Sequence, residues 1–434
     1  MMESTFLAAS VLIVLIFGLL ASGIWVSVTL LVVGMAMMQF FTSAPMGSLI
    51  ASTLWDSSWG WALTSLPLFI WMGEILFRSN LSADMFRGLS SWVGRLPGGL
   101  LHVNVLGCGV MAAITGSSAV TCATIGRMSV PELDRRGYPK ALTIGTLAGS
   151  GTLGLLIPPS IIMIVYGVTA EQSIAHLFIG GILPGLLLIG LFMAYTGVSS
   201  ILRGDSMPAR DAVTRFRDKL IALRSLLPAV GLIVFVIGSI YGGFATPTEA
   251  AAVGVLGALL LSALGRALTW ASFIEGVMSA VRTSCMISFI IATAACLSIA
   301  VAFVDLPREL AQWVNGLGLS PYVLLTVLAA LILVMGCFLE GISIIVLTSS
   351  VMLPMVETAG INLVWFGIFL VILIEAAQIT PPVGFNLFVL QGVTGENILT
   401  IAKAAFPFFL LLLVLLVIIT IFPDLVLGLP RLMS

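Results

Sequence analysis

Four short breaks in an otherwise apolar sequence carry residue types that suit ion binding. Two are polar tips, residues 115–118 and 340–343, and two are runs that contain a Pro-Pro pair, residues 149–159 and 375–384. A broken helix leaves unpaired carbonyls at one end and unpaired N–H groups at the other. The carbonyls, together with Ser and Thr hydroxyls, suit a desolvated Na+, and the N–H end suits a carboxylate.

The candidate binding residues are the small, polar and proline residues of these breaks. They are Thr115, Gly116, Ser117, Ser118, Gly149, Ser150, Gly151, Thr152, Pro158, Pro159, Glu340, Gly341, Ser343, Gln378, Thr380, Pro381, Pro382 and Asn386. We expect one Na+ near Ser117, Ser118 and Thr152, and a second near Gly341 and Thr380, because hard cations prefer oxygen ligands. No other cofactor and no catalytic residue is predicted. The breaks contain no Lys or Arg, so an anion would be held by amides, hydroxyls and helix ends.

Three carboxylates lie in apolar surroundings, where an ionisable group is costly and by default functional. Glu340 is either a ligand or a gate contact. Glu375 lies beside the second Pro-Pro pair and either takes part in binding or gating, or is a neutral acid hydrogen-bonded between helices. Glu74 has no break nearby and is predicted to be structural.

One further polar motif is predicted to be structural. Residues 246–249 read Thr-Pro-Thr-Glu, which has the form of a capping box with proline at the first helical position. We therefore expect a helix to begin here, and we favour this role over direct contact with a ligand.

The composition excludes most classes of soluble protein. Of 434 residues, 18 are Lys or Arg and 19 are Asp or Glu, so 9% are charged, whereas a soluble domain carries roughly 25%. Hydrophobic residues make up 60%, and the net charge of -1 provides no basic surface for nucleic acid. The five widely spaced cysteines are predicted to be core residues. The chain is therefore predicted to be an all-α polytopic membrane protein.

Ten apolar stretches are predicted to cross the bilayer, which takes about 20 residues each. They lie near residues 6–20, 24–41, 62–78, 141–167, 176–202, 226–242, 249–264, 283–304, 363–390 and 404–428. The stretches 141–167 and 363–390 contain the Pro-Pro pairs and are predicted to be broken helices. Two more segments, 98–131 and 320–356, are interrupted midway, so we expect re-entrant hairpins that enter and leave on one side.

The basic residues predict which side each loop faces. The one long hydrophilic stretch follows residue 203, and positive charge favours the cytoplasm. If this linker, residues 204–224, is cytoplasmic, counting crossings outward places every Lys and Arg except Arg308 and Arg431 on or beside the cytoplasmic side. Both termini are then periplasmic. This unequal distribution of basic residues between the two sides is lost if either interrupted segment is counted as a crossing instead of a hairpin.

The chain contains an internal repeat. Pro131 corresponds to Pro354, and the pair at 158–159 corresponds to the pair at 381–382, at the same separation in the sequence. Each copy, residues 1–203 and 225–434, has an odd number of crossings, so the second must be inverted relative to the first. Inverted repeats with broken helices are typical of secondary transporters, which bind substrate near the middle of the membrane.

Four motifs resemble one transporter family over nearly the whole chain. They are ITGSSAV (114–120), GSGTLGLLIPPSIIMIVYGVT (149–169), FATPTEAAAVG (244–254) and AAQITPPVGFNLFVLQGVTG (376–395). Together they resemble the large membrane subunit of tripartite ATP-independent periplasmic (TRAP) transporters. The resemblance implies an elevator-type, Na+-coupled symporter subunit of the bacterial inner membrane. It further implies a substrate of the C4-dicarboxylate or acidic-sugar type, a periplasmic binding protein that delivers it, and a separate small membrane subunit of four helices.

Two other function classes remain as alternatives. A stand-alone elevator-type anion/Na+ symporter would need no binding protein, and uptake by vesicles without a soluble protein would favour it. An intramembrane hydrolase could use Ser117 or Ser118 as its nucleophile. It is disfavoured because no His or Asp lies at that depth in the same half to activate the serine.

Overall fold

A computed structural model describes residues 2–79, 81–204, 207–208, 224, 227–316, 320–382 and 384–433. Within these ranges the chain forms helices and no strand, as the all-α fold class predicts. The predicted cytoplasmic linker, residues 204–224, lies almost wholly outside the described residues.

The helices of the first half are mostly short. They are α1 (Met2–Ala21), α2 (Val26–Phe41), α3 (Met46–Ser58), a 3-10 turn (Trp61–Thr64), α4 (Ser65–Phe77), α5 (Leu81–Val93), α6 (Leu101–Thr115), α7 (Ser118–Arg135), α8 (Lys140–Thr152), α9 (Ile161–Thr169) and α10 (Ile174–Arg203). Of these, α10 is long and apolar enough to cross a membrane alone, and α3 with the segment Trp61–Phe77 forms a bent pair that reaches the same length.

The second half contains longer helices. They are α11 (Leu227–Tyr241), α12 (Pro247–Leu264), α13 (Trp270–Phe303), α14 (Leu306–Gly316), α15 (Pro321–Gly336), α16 (Gly341–Thr358), α17 (Leu363–Gln378), α18 (Phe385–Thr394), α19 (Ile398–Ile421) and α20 (Asp424–Arg431). Among them, α12, α13, α16 and α19 have the length and composition of membrane-spanning helices.

Several predicted boundaries are wrong. Helix α3 is absent from the predicted elements because its sequence carries several polar residues. Helix α13 is one helix of 34 residues, although only 283–304 was expected to span, because its first turns are polar and escape a search for apolar runs. The predicted span 404–428 is interrupted at Phe422, where a proline follows and the separate helix α20 begins at Asp424.

The predicted start of α12 is confirmed. The Thr246 hydroxyl accepts a hydrogen bond from the Glu249 N–H at 3.3 Å, and the Glu249 carboxylate accepts one from the Thr246 N–H at 2.8 Å. This reciprocal pair satisfies two of the N–H groups that a helix start leaves free. The motif at 246–249 therefore fixes where α12 begins.

The core forms around α8, α9 and α17. Every side chain of α17 from Val364 to Gln378 is buried, and α17 packs against α10, α15, α16 and α19. The Tyr166 hydroxyl of α9 donates to the Leu363 carbonyl at 2.7 Å and ties the two halves together. Four cysteines are buried as predicted, but Cys285 is exposed on α13, where the prediction is wrong.

The outer helices expose apolar side chains. On α11, Phe235 is 59% exposed, and on α12, Leu260 is 64% exposed. A soluble protein of this size would bury such residues, whereas a bilayer solvates them. Most described residues of the four breaks are buried, whereas Pro381 and Pro382 are exposed.

Candidate functional site

The first polar tip is a sharp break between α6 and α7. Helix α6 ends at Thr115, Gly116 adopts a left-handed conformation with φ of 59°, and Ser117 is extended before α7 begins at Ser118. A Cβ at Gly116 would lie 2.8 Å from the Pro159 carbonyl oxygen. Glycine is therefore required here by both backbone conformation and space.

The Thr115 hydroxyl holds this tip in shape. It donates to the Met111 carbonyl at 3.0 Å and pairs with the Thr121 hydroxyl at 2.9 Å. The Ser117 N–H also points to it, at 3.4 Å. Through these hydrogen bonds Thr115 connects the end of α6 to the start of α7. Its observed role is therefore to stabilise the tip.

The first Pro-Pro break packs directly on this tip. Helix α8 ends at Thr152, and a Cβ at Gly154 would lie 2.5 Å from the Ser117 carbonyl carbon and 2.6 Å from its oxygen. The Thr152 hydroxyl donates to the Gly149 carbonyl at 2.7 Å. The Ser150 hydroxyl is fully buried and has no partner among the described residues.

The second polar tip lies between α15 and α16. Glu340 is extended, and α16 begins at Gly341. A Cβ at Gly341 would lie 2.5 Å from Ile162 of α9 and 2.7 Å from Ile374 of α17. The second tip therefore packs against α9, which follows the first Pro-Pro pair, and against α17, which precedes the second pair.

The second Pro-Pro break turns tightly between α17 and α18. Gly384 has a φ of 44°, and a Cβ there would lie 2.8 Å from the Thr380 carbonyl oxygen. The Thr380 hydroxyl donates to the Ala376 carbonyl at 2.7 Å. Pro381 and Pro382 are exposed. Asn386, one residue into α18, is fully buried, and neither its amide nitrogen nor its oxygen has a partner among the described residues.

A side-chain hydrogen bond joins a break of the first half to a break of the second half. The Ser118 hydroxyl donates to the Gln378 Oε1 at 2.6 Å, and these residues are 3% and 2% exposed. The Gln378 Nε2 also lies 3.4 Å from the position of a Cβ at Gly341. Gln378 therefore lies beside both tips.

A cavity of about 50 Å³ opens beside this contact. Its lining includes Gly116, Ser117, Ser118, Glu340, Gln378 and Phe385. The cavity has room for an ion or a few waters, and it is far smaller than the volume of about 300–1,000 Å³ typical of small-molecule sites. We call this arrangement, in which Ser118 contacts Gln378 and both tips border one small cavity, the state with closed tips.

The other predicted residues lie outside the lining of this cavity or in close helix packing. Thr152, Thr380 and Asn386 do not line it. A Cβ at Gly149 would meet the Phe408 ring, and one at Gly151 would meet the Cys122 side chain at 2.8 Å. These two glycines allow α8 to pack closely, so their observed contacts are structural. Ser343 is buried on α16, and Pro158 is buried with Pro159.

The three carboxylates lie in different environments. Glu340 borders the cavity and is half-buried. Glu375 is fully buried, and neither of its carboxylate oxygens has a hydrogen-bond partner among the described residues. Glu74 pairs with Arg78 at 3.2 Å and accepts a hydrogen bond from Ser279 at 2.7 Å. Burial of an unpaired carboxylate is costly, which sets Glu375 apart from the ion-paired Glu74.

Comparison with known proteins finds similarity to transporter subunits over nearly the whole chain. Residues 13–425 match the sequence profile of the family described as "Tripartite ATP-independent periplasmic transporter, DctM component". The chain is 36% identical over 383 residues to the C4-dicarboxylate TRAP transporter large permease protein DctM of Pseudomonas aeruginosa, covering 88% of this chain and 89% of that protein.

Two further similarities extend this finding. The chain is 34% identical to the isethionate TRAP transporter permease protein DctMQ of Oleidesulfovibrio alaskensis, covering 90% of this chain and 62% of that protein. Its fold resembles the YdaH transporter of Alcanivorax borkumensis, with a TM-score of 0.62 at 14% identity, over 87% of this chain and 88% of that one. At that identity the likeness concerns the fold alone.

Proposed function

Because the chain belongs to the DctM-component family of tripartite ATP-independent periplasmic transporters, we propose that it is the large subunit of a Na+-coupled carboxylate symporter. Proteins of this family are transporter permease subunits, and the chain is a transporter rather than an enzyme. The substrate proposed is a small carboxylate of the C4-dicarboxylate or acidic-sugar type. A relative is named for C4-dicarboxylates, which supports this substrate class.

The observation that carries the proposal is the Ser118–Gln378 contact and the cavity beside it. It joins a tip of the first half to the end of α17 in the second half. Broken helix ends and buried polar side chains converge there, which is the arrangement that membrane transporters use for substrates and ions. We place the carboxylate between the tips when they separate.

The available ligands fit Na+. A hydroxyl that donates its one proton keeps its lone pairs, so the hydroxyls of Thr152 and Thr380 can still coordinate a cation. The buried Ser150 hydroxyl has no partner among the described residues and adds a free oxygen beside Thr152 in sequence. We propose the first Na+ near Ser117, Ser118 and Thr152, and the second near Gly341 and Thr380.

The proposed mechanism is an elevator within an inverted repeat. The repeats are residues 1–203 and 225–434, with re-entrant hairpins at 98–131 and 320–356. Helices α8 and α9 have 13 and 9 residues, and α17 and α18 have 16 and 10, whereas about 20 are needed to cross a bilayer. Each is therefore too short to span alone, which supports the assignment of 141–167 and 363–390 as broken spans.

The proposed partners are a small four-helix membrane subunit and a periplasmic substrate-binding protein. The family is named as tripartite and periplasmic, which supports both. The DctMQ relative is longer than the region matched here, which agrees with a second membrane component fused in that protein. We place the chain in the inner membrane of a bacterium with both termini in the periplasm.

Reconstitution tests this function and separates it from its alternative. Proteoliposomes would contain this chain and its small subunit, and the periplasmic substrate-binding protein (the receptor) would be added outside together with radiolabelled succinate. We expect succinate to accumulate only with an inward Na+ gradient and only with the receptor. Accumulation without the receptor would instead identify a stand-alone symporter. Accumulation at the same rate with and without a Na+ gradient would overturn the proposed coupling.

A further inference from the structure

A second and larger cavity lies next to the one between the tips. Its volume is about 610 Å³, and it is bounded by one face of α7, one face of α18 and the end of α4. This volume falls within the range of about 300–1,000 Å³ that is typical of small-molecule sites. It therefore has the size of a site for a small dicarboxylate, whereas the cavity between the tips is far smaller.

The two cavities are adjacent. Ala119 lines both of them, and consecutive turns of α18 contribute Phe385 to the smaller cavity and Phe388 to the larger one. Along α7 the lining continues through Ala123 to Arg127, at the four-residue spacing that keeps side chains on one helix face. At 1.5 Å per residue, Arg127 lies about 14 Å along α7 from Ser118.

Arg127 is the unpaired charge in this cavity. It is exposed, and no described residue forms an ion pair with it. The other charged residue of the lining, Glu74, is already engaged by Arg78 at 3.2 Å and by the Ser279 hydroxyl at 2.7 Å. The cavity therefore presents a cation without a counter-ion, surrounded mainly by apolar side chains.

We propose that Arg127 binds a carboxylate group of the substrate in this larger cavity, as a second anion site on the path away from the tips. The inference rests on the proposed function, because it takes the transported carboxylate as the ligand. A guanidinium can bind both carboxylate oxygens at once. The tips contain no Lys or Arg, so Arg127 supplies the positive charge that a released carboxylate meets first along α7.

The charge of the cavity can be measured without transport. Ala123→Cys places a thiol one turn from Arg127, in a background where the exposed Cys285 is replaced by serine and the other four cysteines are buried. The readout is the ratio of reaction rates with an anionic and a cationic methanethiosulfonate reagent. A charge about 6 Å away in water changes each rate about threefold, in opposite directions, so Arg127→Gln should lower the ratio about tenfold.

Arg135→Gln is the matched control. Arg135 lies two turns further along α7 and is paired with Glu132 at 2.7 Å, so its removal should leave the ratio within about twofold. Equal ratios in the Arg127→Gln and Arg135→Gln proteins would overturn the inference. A thiol that reacts in detergent but not in vesicles would also overturn it, because lipid would then fill the cavity.

Substrate protection in the complete transporter decides whether the cavity binds the carboxylate. With the small subunit and receptor present, succinate should slow labelling of the cysteine at position 123 in the Arg127 protein and not in the Arg127→Gln protein. If succinate still slows the labelling in the Arg127→Gln protein, and that complex still takes up succinate, the inference is refuted. The proposed function would not be affected by this result. Absence of carboxylate uptake by the unmodified complex would refute the proposed function itself.

Discussion

Removing the Ser118 hydroxyl should weaken carboxylate uptake, because it leaves the Gln378 amide oxygen without its partner. The two side chains are 3% and 2% exposed, and the bond is 2.6 Å long. Water cannot readily replace the lost donor at such burial. In the Ser118→Ala protein the state with closed tips should therefore rise in free energy.

The size of the effect follows from the cost of an unsatisfied buried acceptor, about 1–3 kcal/mol. If the bond is already formed in the rate-limiting transition state of the transport cycle, this cost lowers kcat/KM for succinate uptake by about 5- to 150-fold, since a factor of ten corresponds to about 1.4 kcal/mol. The assay is initial uptake by proteoliposomes at saturating Na+, normalised to the amount of inserted protein.

A double-mutant cycle tests the cause. Gln378→Met removes the acceptor at similar volume, so Ser118→Ala should then add little, with a coupling of about 0.5–3 kcal/mol. Ser349→Ala is the control, because that buried hydroxyl donates to the Ile345 carbonyl of its own helix at 2.6 Å. Effects of Ser118→Ala and Gln378→Met that add within about 0.5 kcal/mol would refute the role of this bond.

Three further outcomes are expected. Gly154→Ala should abolish uptake while membrane insertion stays normal, because its methyl group would lie 2.5 Å from the tip backbone. Lys140→Gln should change thermal stability by less than about 1 kcal/mol, because its 3.1 Å pair with Glu396 is solvent-exposed. Trp365→Phe should destabilise the purified complex by about 1–3 kcal/mol in thermal unfolding, because a buried indole N–H bond to a carbonyl at 3.0 Å is lost.

Each of these has its own control. Gly190→Ala introduces the same methyl group where nothing lies within 4 Å, so equal loss of uptake in both glycine variants would contradict the steric reason. Added salt should reduce any effect of Lys140→Gln, and a large salt-independent loss of stability would contradict a surface pair. A Trp365→Phe protein as stable as the parent would show that the buried carbonyl finds another donor.

The positions of the breaks could be predicted from the sequence because polar and proline residues interrupt long apolar runs. Helix α6 ends at Thr115 and α16 begins at Gly341, both within the predicted tips. The capping box at 246–249 was equally local, since its partners are three residues apart. Signals of this kind depend on neighbouring residues and need no knowledge of tertiary packing.

The contacts between the breaks could not be predicted in this way. Ser118 and Gln378 are 260 residues apart, and nothing in one sequence indicates that these two side chains meet. Gly154 lies within a run of predicted residues, yet its tight packing on Ser117 depends on how α8 approaches the tip. The sequence identifies Arg127 only as one of the basic residues predicted on the cytoplasmic side, because its cavity is formed by three separate helices.

The most direct test is a density map of the complete transporter determined in Na+ with a bound carboxylate such as succinate. We predict ligand density between the tip at Gly116–Ser118 and the side chain of Gln378, with the two tips further apart than their present closed contact. A map that shows the carboxylate bound elsewhere, with Ser118 still hydrogen-bonded to Gln378, would contradict the proposed binding site.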